Sequence, residues 1–344
     1  MNALGVLLRR REAGIAVMIV LFCVAVGIAK PQFLTFDQLR IILLLTPLIM
    51  IGAMGQMMVI VARHVDLSIG SMLGFSAMVS GLMYRYDLAT WGFDVPWWFG
   101  IIVSVVVGAA LGFGNGVLIQ LFKLPAIIVT LGTLSLYRGL TFIISNAKQI
   151  DRQWVPTELK GLSQGSPFTV PDFVPFAGGF NLPWIVMIAF TIAILTYVFL
   201  THTRLGRQVY AIGSNPVAAP LRGINVTQVT LVVFTISGAL SGLAGIMYAS
   251  RWGFVNPSNT GTGFEFQVIA AVVIGGVSIN GGVGSVLGTV LGVLLMGCVA
   301  AALPLLGIPG TSQAAIYGAV ILVALLIDRT VRQQGIVSLK RVRA

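Results

Sequence analysis

The feature that most constrains this chain is a succession of long apolar blocks, almost bare of charge and separated by short polar stretches. They fall at roughly 13–29, 40–62, 67–84, 95–122, 125–145, 183–201, 229–249, 264–279, 283–303 and 311–327. About 20 apolar residues cross a hydrocarbon core roughly 30 Å thick. Inside that core only structures that satisfy every backbone N–H and C=O persist, and for unbroken apolar blocks that structure is the helix. The expected fold is therefore all-α: a polytopic membrane protein of about ten transmembrane helices. Only 9% of the residues are charged, against about 25% in a soluble domain, so the chain has too little polar surface for a separate soluble unit. Residues 1–344 are read as a single transmembrane domain. The first block follows Arg9, Arg10 and Arg11 and is read as a retained helix rather than a signal peptide.

The placement of positive charge predicts the orientation. With the N-terminus cytoplasmic, 13 of the 21 Lys and Arg lie inside and seven outside, while Arg138 falls within a block. That bias, with an even number of spans, predicts cytoplasmic N- and C-termini. The net charge of +11 then suits an anionic membrane leaflet and needs no nucleic acid. The longest loop, 146–182, is expected outside, with a short amphipathic element near 154–162. Trp91, Trp97, Trp98 and Trp184 border block ends, where indole rings settle at headgroup depth. Cys23 and Cys298 lack metal-site or disulfide-framework spacing and read as small apolar side chains.

The sequence contains no phosphate loop, zinc-protease motif or nucleophile elbow. An enzyme is not expected, nor is a cofactor. Asp66, Arg138 and Glu265 are the ionisable groups at or within the blocks. Asp66 is expected to cap the third helix, and Arg138 either to snorkel outward or to find a partner at depth. Gln56, Asn115, Gln120 and Thr130 are polar residues within blocks that either face a solute pathway or bond between helices. Midplane carboxylates of the kind that carry coupling ions are missing, which disfavours a self-powered carrier. Gly70-Ser71-Met72-Leu73-Gly74 and Gly284-Ser285-Val286-Leu287-Gly288 open the third and ninth blocks, a faint internal echo. On the cytoplasmic side, the loop 201–228 is expected to carry a short helix around 215–221 after a turn at Gly213-Ser214-Asn215-Pro216. A short helix lying across the inner face is suited to docking another protein.

Several runs in order resemble the ribose-type monosaccharide permeases of bacterial ATP-binding-cassette importers, and more closely those of autoinducer-2 and rhamnose systems. They are Val65-Asp66-Leu67-Ser68-Ile69-Gly70-Ser71, Gly114-Asn115-Gly116-Val117, and Leu124-Pro125-Ala126 through Leu131-Gly132-Thr133. Further along come Gly206-Arg207 with Ala211-Ile212-Gly213-Ser214-Asn215, and Gly261-Thr262-Gly263 followed by Ile269-Ala270-Ala271 through Gly275-Gly276. The resemblance implies a permease subunit of the bacterial inner membrane that works with cytoplasmic ATP-binding subunits, a second permease, identical or homologous, and a periplasmic substrate-binding protein delivering a sugar-like solute. It also implies that Gly206, Arg207, Gly213, Asn215, Ala218, Ala219 and Gly223 belong to the ATPase-coupling loop. A secondary carrier and a branched-chain amino acid permease are the alternatives.

Overall fold

In the computed structural model, residues 11–85, 95–169, 181–309, 312, 315–319 and 322 are described. Of the tenth block only 312, 315–319 and 322 lie among them, and Trp91 lies outside. The described chain is helical apart from one two-residue antiparallel pair, β1 (Phe168–Thr169) with β2 (Asn181–Leu182), inside the 146–182 loop.

Among the described residues seven helices are long and apolar enough to cross a membrane: α1 (Arg11–Ala29), α2 (Phe36–Val61), α4 (Trp97–Phe122), α5 (Ala126–Ser145), α7 (Trp184–His202), α10 (Val226–Trp252) and α12 (Val286–Leu305). Between them lie α3 (Ile69–Arg85) and α11 (Phe264–Ile274). At one end of the bundle, α6 (Thr157–Gln164) packs on α10, with Ser250 Oγ donating to Leu159 O at 2.6 Å and Ser163 Oγ 2.9 Å from Ser250 Oγ. This helix is the amphipathic element expected near 154–162, displaced by about two residues. At the other end lie α8 (Arg204–Ser214) and the one-turn α9 (Ala218–Leu221).

The spine is α2, buried continuously from Thr46 to Val61, with α10 beside it. Small residues bring α4 and α10 into backbone contact. A Cβ placed on Gly108 would meet Gly238 O, with Gly242 N at 2.8 Å, and one on Gly112 would meet Phe234 O, with Gly238 Cα at 2.9 Å. Ser104 Oγ donates to Gly242 O at 2.7 Å one turn further on. Lipid gives helices no hydrophobic reason to associate, so contact this close supplies the van der Waals energy instead. The periphery follows the opposite rule: Leu21, Leu121, Ile128, Ile143 and Ile194 are exposed on the single chain. On α1, Cys23 packs against buried Cys298 of α12.

Two of the expected spans are not simple crossings. The third starts at Ile69 after a non-helical stretch at 62–68, and the eighth, expected over 264–279, is a helix of only 11 residues. Eleven residues rise about 16 Å, half a bilayer.

Candidate translocation and coupling sites

Distances along neighbouring helices place both interruptions inside the bundle. Gly81 of α3 packs on Ile150, which is bridged to Val255 at the α6 end. Down the same helix, Gly74 lies against Thr260 O and Gly70 against Gly261 O. Seven and eleven residues at 1.5 Å each put those contacts about 10 and 16 Å below the Ile150 level. Segment 256–263 therefore descends from the α6 end to mid-depth before α11 continues to the other end. Segment 62–68 climbs from the α8 end, where Val61 O accepts from Gly282 N at 2.9 Å. It reaches Asn115, seven residues or about 10 Å above the end of α4. The N-termini of α3 and α11 thus approach each other near mid-depth, an arrangement that aims two positive dipole ends at one region.

Non-helical backbone at this depth survives only if its polar groups are satisfied within the protein. Asp66 Oδ1 accepts from Ser68 N at 2.9 Å and Ser68 Oγ at 2.6 Å, while Ser68 O accepts from Met72 N at 2.8 Å. Ser68 thereby holds the capping place that the sequence suggested for Asp66, and Asp66 holds Ser68. Asn115 Nδ2 donates to Ser68 Oγ at 2.8 Å, and its Oδ1 accepts from Tyr137 of α5 at 2.9 Å. Thr130 Oγ1 reaches Val65 O at 3.3 Å and its own helix at Ala126 O at 2.9 Å. In the second segment Asn256 Oδ1 accepts from Ser258 N and Asn259 N, and Thr260 Oγ1 accepts from Asn256 N.

Arg138 has its partner on the second segment. Its Nη1 donates to Thr260 O at 2.7 Å, so the guanidinium pins the second segment from α5. Glu265, 8% exposed, brings its carboxylate against Gly70, one turn from Gly74, where the Arg138 head lies. A methyl group at Gly70 would displace the Glu265 carboxylate, and one at Gly74 would strike the Thr260 carbonyl that Arg138 holds, so the Gly70/Gly74 face is shaped to seat an opposite-charge pair held apart by about one helical turn. Gln56 is fully buried in α2 with neither side-chain amide atom hydrogen-bonded among the described residues. Gln120 stands apart, near the α8 end, accepting from Thr227 at 3.2 Å.

At the α8 end the expected turn at 213–216 is shifted: Gly213 and Ser214 close an 11-residue helix, and Pro216 and Val217 make the turn into α9. Leu205, Val209 and Ile212 line one face of α8 at helical spacing and Arg204, Arg207 and Ser214 the exposed side. Thr203 caps it by accepting from Gly206 N at 3.0 Å. Gly206 is required because a Cβ there would strike Phe199 O. Asn215 ends α8 and starts α9, its Oδ1 accepting from Val217 N at 3.1 Å and Ala218 N at 3.0 Å. Ala219 is buried, and Gly223 ends the turn at φ +75°. Val217 and Leu221 project at 78% and 86% exposure beside exposed Arg222.

Both interrupted regions terminate on this helix pair. Gly213 lies against Val61 O and Gly282, and a Cβ there would strike the backbone of both. Tyr210 OH donates to Gly284 O at 3.0 Å, and Arg63 Nε to Asn280 O at 2.6 Å. Burial pushes the Tyr210 phenol above its ordinary pKa, keeping it a neutral donor. The 275–285 hairpin is thus tied to α8 on one side and to the foot of α2 on the other.

Comparison with known proteins follows the same lines. The family model described as branched-chain amino acid transport system / permease component matches residues 38–325. The autoinducer 2 import system permease protein LsrC of Salmonella typhi is 34% identical over 322 residues, covering 94% of this chain and 86% of that protein. LsrC of Escherichia coli O9:H4 (strain HS) is also 34% identical, over 94% of this chain and 88% of its own length. No solved structure matches. With a family model spanning most of its length and relatives aligned nearly end to end, the chain belongs to the branched-chain amino acid transport system permease component family.

Proposed function

We propose that this chain is the membrane-spanning permease subunit of an ATP-driven importer in the bacterial inner membrane, passing a sugar-like solute of the autoinducer-2 kind. The chain itself is not the enzyme: ATP is hydrolysed by cytoplasmic subunits, and a periplasmic binding protein delivers the solute. Two permeases, identical or homologous, form the assembly. The chain crosses about ten times with both termini cytoplasmic, the α8 end facing the cytoplasm and the 146–182 loop the periplasm.

The observation that carries this reading is the α8–α9 pair, with Val217 and Leu221 presented at its tip among Arg204, Arg207 and Arg222. Apolar knobs rimmed by charge suit a protein groove better than water or lipid. Arg207 and Asn215 are the polar coupling groups in this reading; Gly206, Gly213, Ala218, Ala219 and Gly223 give the pair its close fit and its turn. The autoinducer-2 names of the relatives support the solute class. The wording of the family model supports a branched-chain amino acid as the second reading.

Gentle solubilisation of the tagged chain tests the assignment. A stoichiometric ATPase is expected to co-purify, with its solute-stimulated hydrolysis lost or uncoupled in Arg207→Glu. A chain that comes out alone and moves solute in vesicles without ATP sinks the proposal. Competition for uptake between a hydroxylated sugar and leucine separates the two solute readings.

A further inference from the structure

Helices α2 and α7 both start at the α6 end. Trp184 N, the first of α7, donates at 3.3 Å to Gly165 O, where α6 closes, and α2 runs from Phe36 to its foot on the α8 end at Val61. Between them lies a groove of about 280 Å³, walled by Leu43 of α2, Leu182 of β2 and, on α7, Val186, Phe190, Thr191 and Ile194. Val186, Phe190 and Ile194 recur at four-residue intervals, the spacing of one helix face. Thr191 carries the one hydroxyl in a wall that is otherwise apolar. A water molecule takes about 30 Å³ and needs roughly two to four polar partners to stay in a cavity. The groove is therefore too large for a packing gap and too apolar to hold water, and hydrocarbon is the guest it suits. Phe190 and Ile194 are exposed on the single chain, so the groove opens sideways toward lipid.

Its length matches one leaflet. From Val186 to Ile194 the helix rises about 12 Å, and Leu182 carries the groove on to the α6 end. Half a hydrocarbon core is about 15 Å deep. What sets the groove apart from plain lipid-facing surface is the charge at its mouth. Arg40 lies one turn before Leu43 on α2, and helical side chains lean toward the N-terminus, so its guanidinium is carried outward above the groove. Arg40 is exposed and makes no hydrogen bond or ion pair among the described residues. Asp37, a further turn out, is exposed in the first turn of α2, where the helix dipole favours it. That leaves the Leu43 side of Arg40 as the side open to an anion. Trp184 stands at the same end on α7, seven residues before Thr191 and exposed, placed for an indole at headgroup depth. A cation one turn inside a membrane-crossing helix extends to the headgroup layer, and phosphate is the anion there.

We infer that the α2–α7 groove is a site for an anionic phospholipid of the leaflet at the α6 end. One acyl chain lies along Leu43, Val186, Phe190 and Ile194, and the phosphate sits on Arg40. The site belongs to the membrane-spanning body and needs neither solute nor ATPase, so it stands apart from the importer reading.

The test uses the full chain in mixed micelles and a phospholipid with brominated acyl chains, which quench indole fluorescence on contact. The lipid carries a phosphatidylglycerol head or, at the same chain length, a phosphatidylcholine head. The difference in fluorescence between each protein and its Trp184→Phe counterpart isolates the indole at the groove mouth. Phosphatidylglycerol is expected to half-quench it at about one-fifth the mole fraction that phosphatidylcholine needs, the scale of one Arg meeting anionic lipid. Arg40→Gln is expected to remove that preference and leave quenching by phosphatidylcholine unchanged. Thr191→Phe, which fills the groove, is expected to weaken quenching by both. Equal quenching by the two heads, a preference that survives Arg40→Gln, or quenching untouched by Thr191→Phe would each overturn the inference. So would efficient cross-linking of Phe190→Cys between two chains in a Cys23→Ser, Cys298→Ser background, which would put a second copy of the chain in the groove.

Discussion

Replacing Gly112 by alanine places a methyl group against Phe234 O and 2.9 Å from Gly238 Cα, backbone atoms that no side-chain rotation can move. Relief requires α4 and α10 to part by about 0.6–1 Å, since carbon atoms settle 3.5–4.0 Å apart. The same separation opens the layers at Gly108 and Ser104, because the crossing is one continuous contact. A gap of that size forfeits a quarter to a half of each dispersion well of ~0.1–0.2 kcal/mol, so a crossing of on the order of 50 atom pairs loses about 2–3 kcal/mol. That lies at the upper end of the usual overpacking cost. Gly132→Ala and Gly139→Ala serve as matched controls on α5, where an added Cβ meets nothing within 4 Å; helix propensity alone then predicts a gain of roughly 0.5–1 kcal/mol. Reversible unfolding in mixed micelles, followed by helical circular dichroism, reads the difference. Equal stability of Gly112→Ala and the α5 controls would refute the claim that backbone contact, rather than apolar composition, builds this bundle.

Three further outcomes are expected. Asn115→Ala should cost about 1–2 kcal/mol by the same unfolding assay, the scale of two interhelical hydrogen bonds in a membrane protein, and should be non-additive with Tyr137→Phe because the two share one bond; strict additivity would dissolve the network. Asn215→Ala removes the acceptor for Val217 N and Ala218 N, a cap worth about 1 kcal/mol, so co-purified ATPase should fall roughly fivefold while thermal stability of the membrane domain holds. Tyr210→Phe deletes the bond to Gly284 O; the ATPase should still co-purify, and solute moved per ATP hydrolysed should drop, whereas an unchanged ratio would make the contact merely structural.

The helices that cross simply were legible because their information is local. α4, α5 and α7 start and stop within about two residues of the apolar blocks, each entered through a proline, Pro96, Pro125 or Pro183. The interruptions were not legible, because hydropathy does not distinguish backbone buried in protein from backbone in lipid. Val65 to Ser71 reads as the start of a span, and only the contacts of Asp66, Ser68 and Asn115 reveal a climbing segment ahead of it. Helix α8 was missed for a different reason. Leu205, Val209 and Ile212 give the helical period, but the Gly213-Ser214-Asn215-Pro216 turn signal drew the expected helix to 215–221 instead. Of the polar residues singled out, Asn115, Thr130 and Arg138 converge on the two interruptions, Gln56 lies buried in α2, and Gln120 lies apart. Residue type marked them as unusual, but which ones would meet depended on depth and rotation that a single sequence does not carry.

The two interruptions share a construction that bears on how the fold can move. Each replaces intrahelical bonds with side-chain acceptors, Asp66 in one and Asn256 in the other, and each is then pinned from a neighbouring span, by Asn115 and by Arg138. Segments held by a few polar contacts open at lower free energy than helices held by continuous packing. The α4–α10 crossing, with backbone against backbone, belongs to the second kind. Val61, Arg63 and Gly282 connect the feet of both regions to α8. A displacement of α8 therefore reaches α3 and α11 before it strains the α4–α10 crossing, and a two-state equilibrium is most cheaply placed where those segments meet, at Gly70 and Gly261.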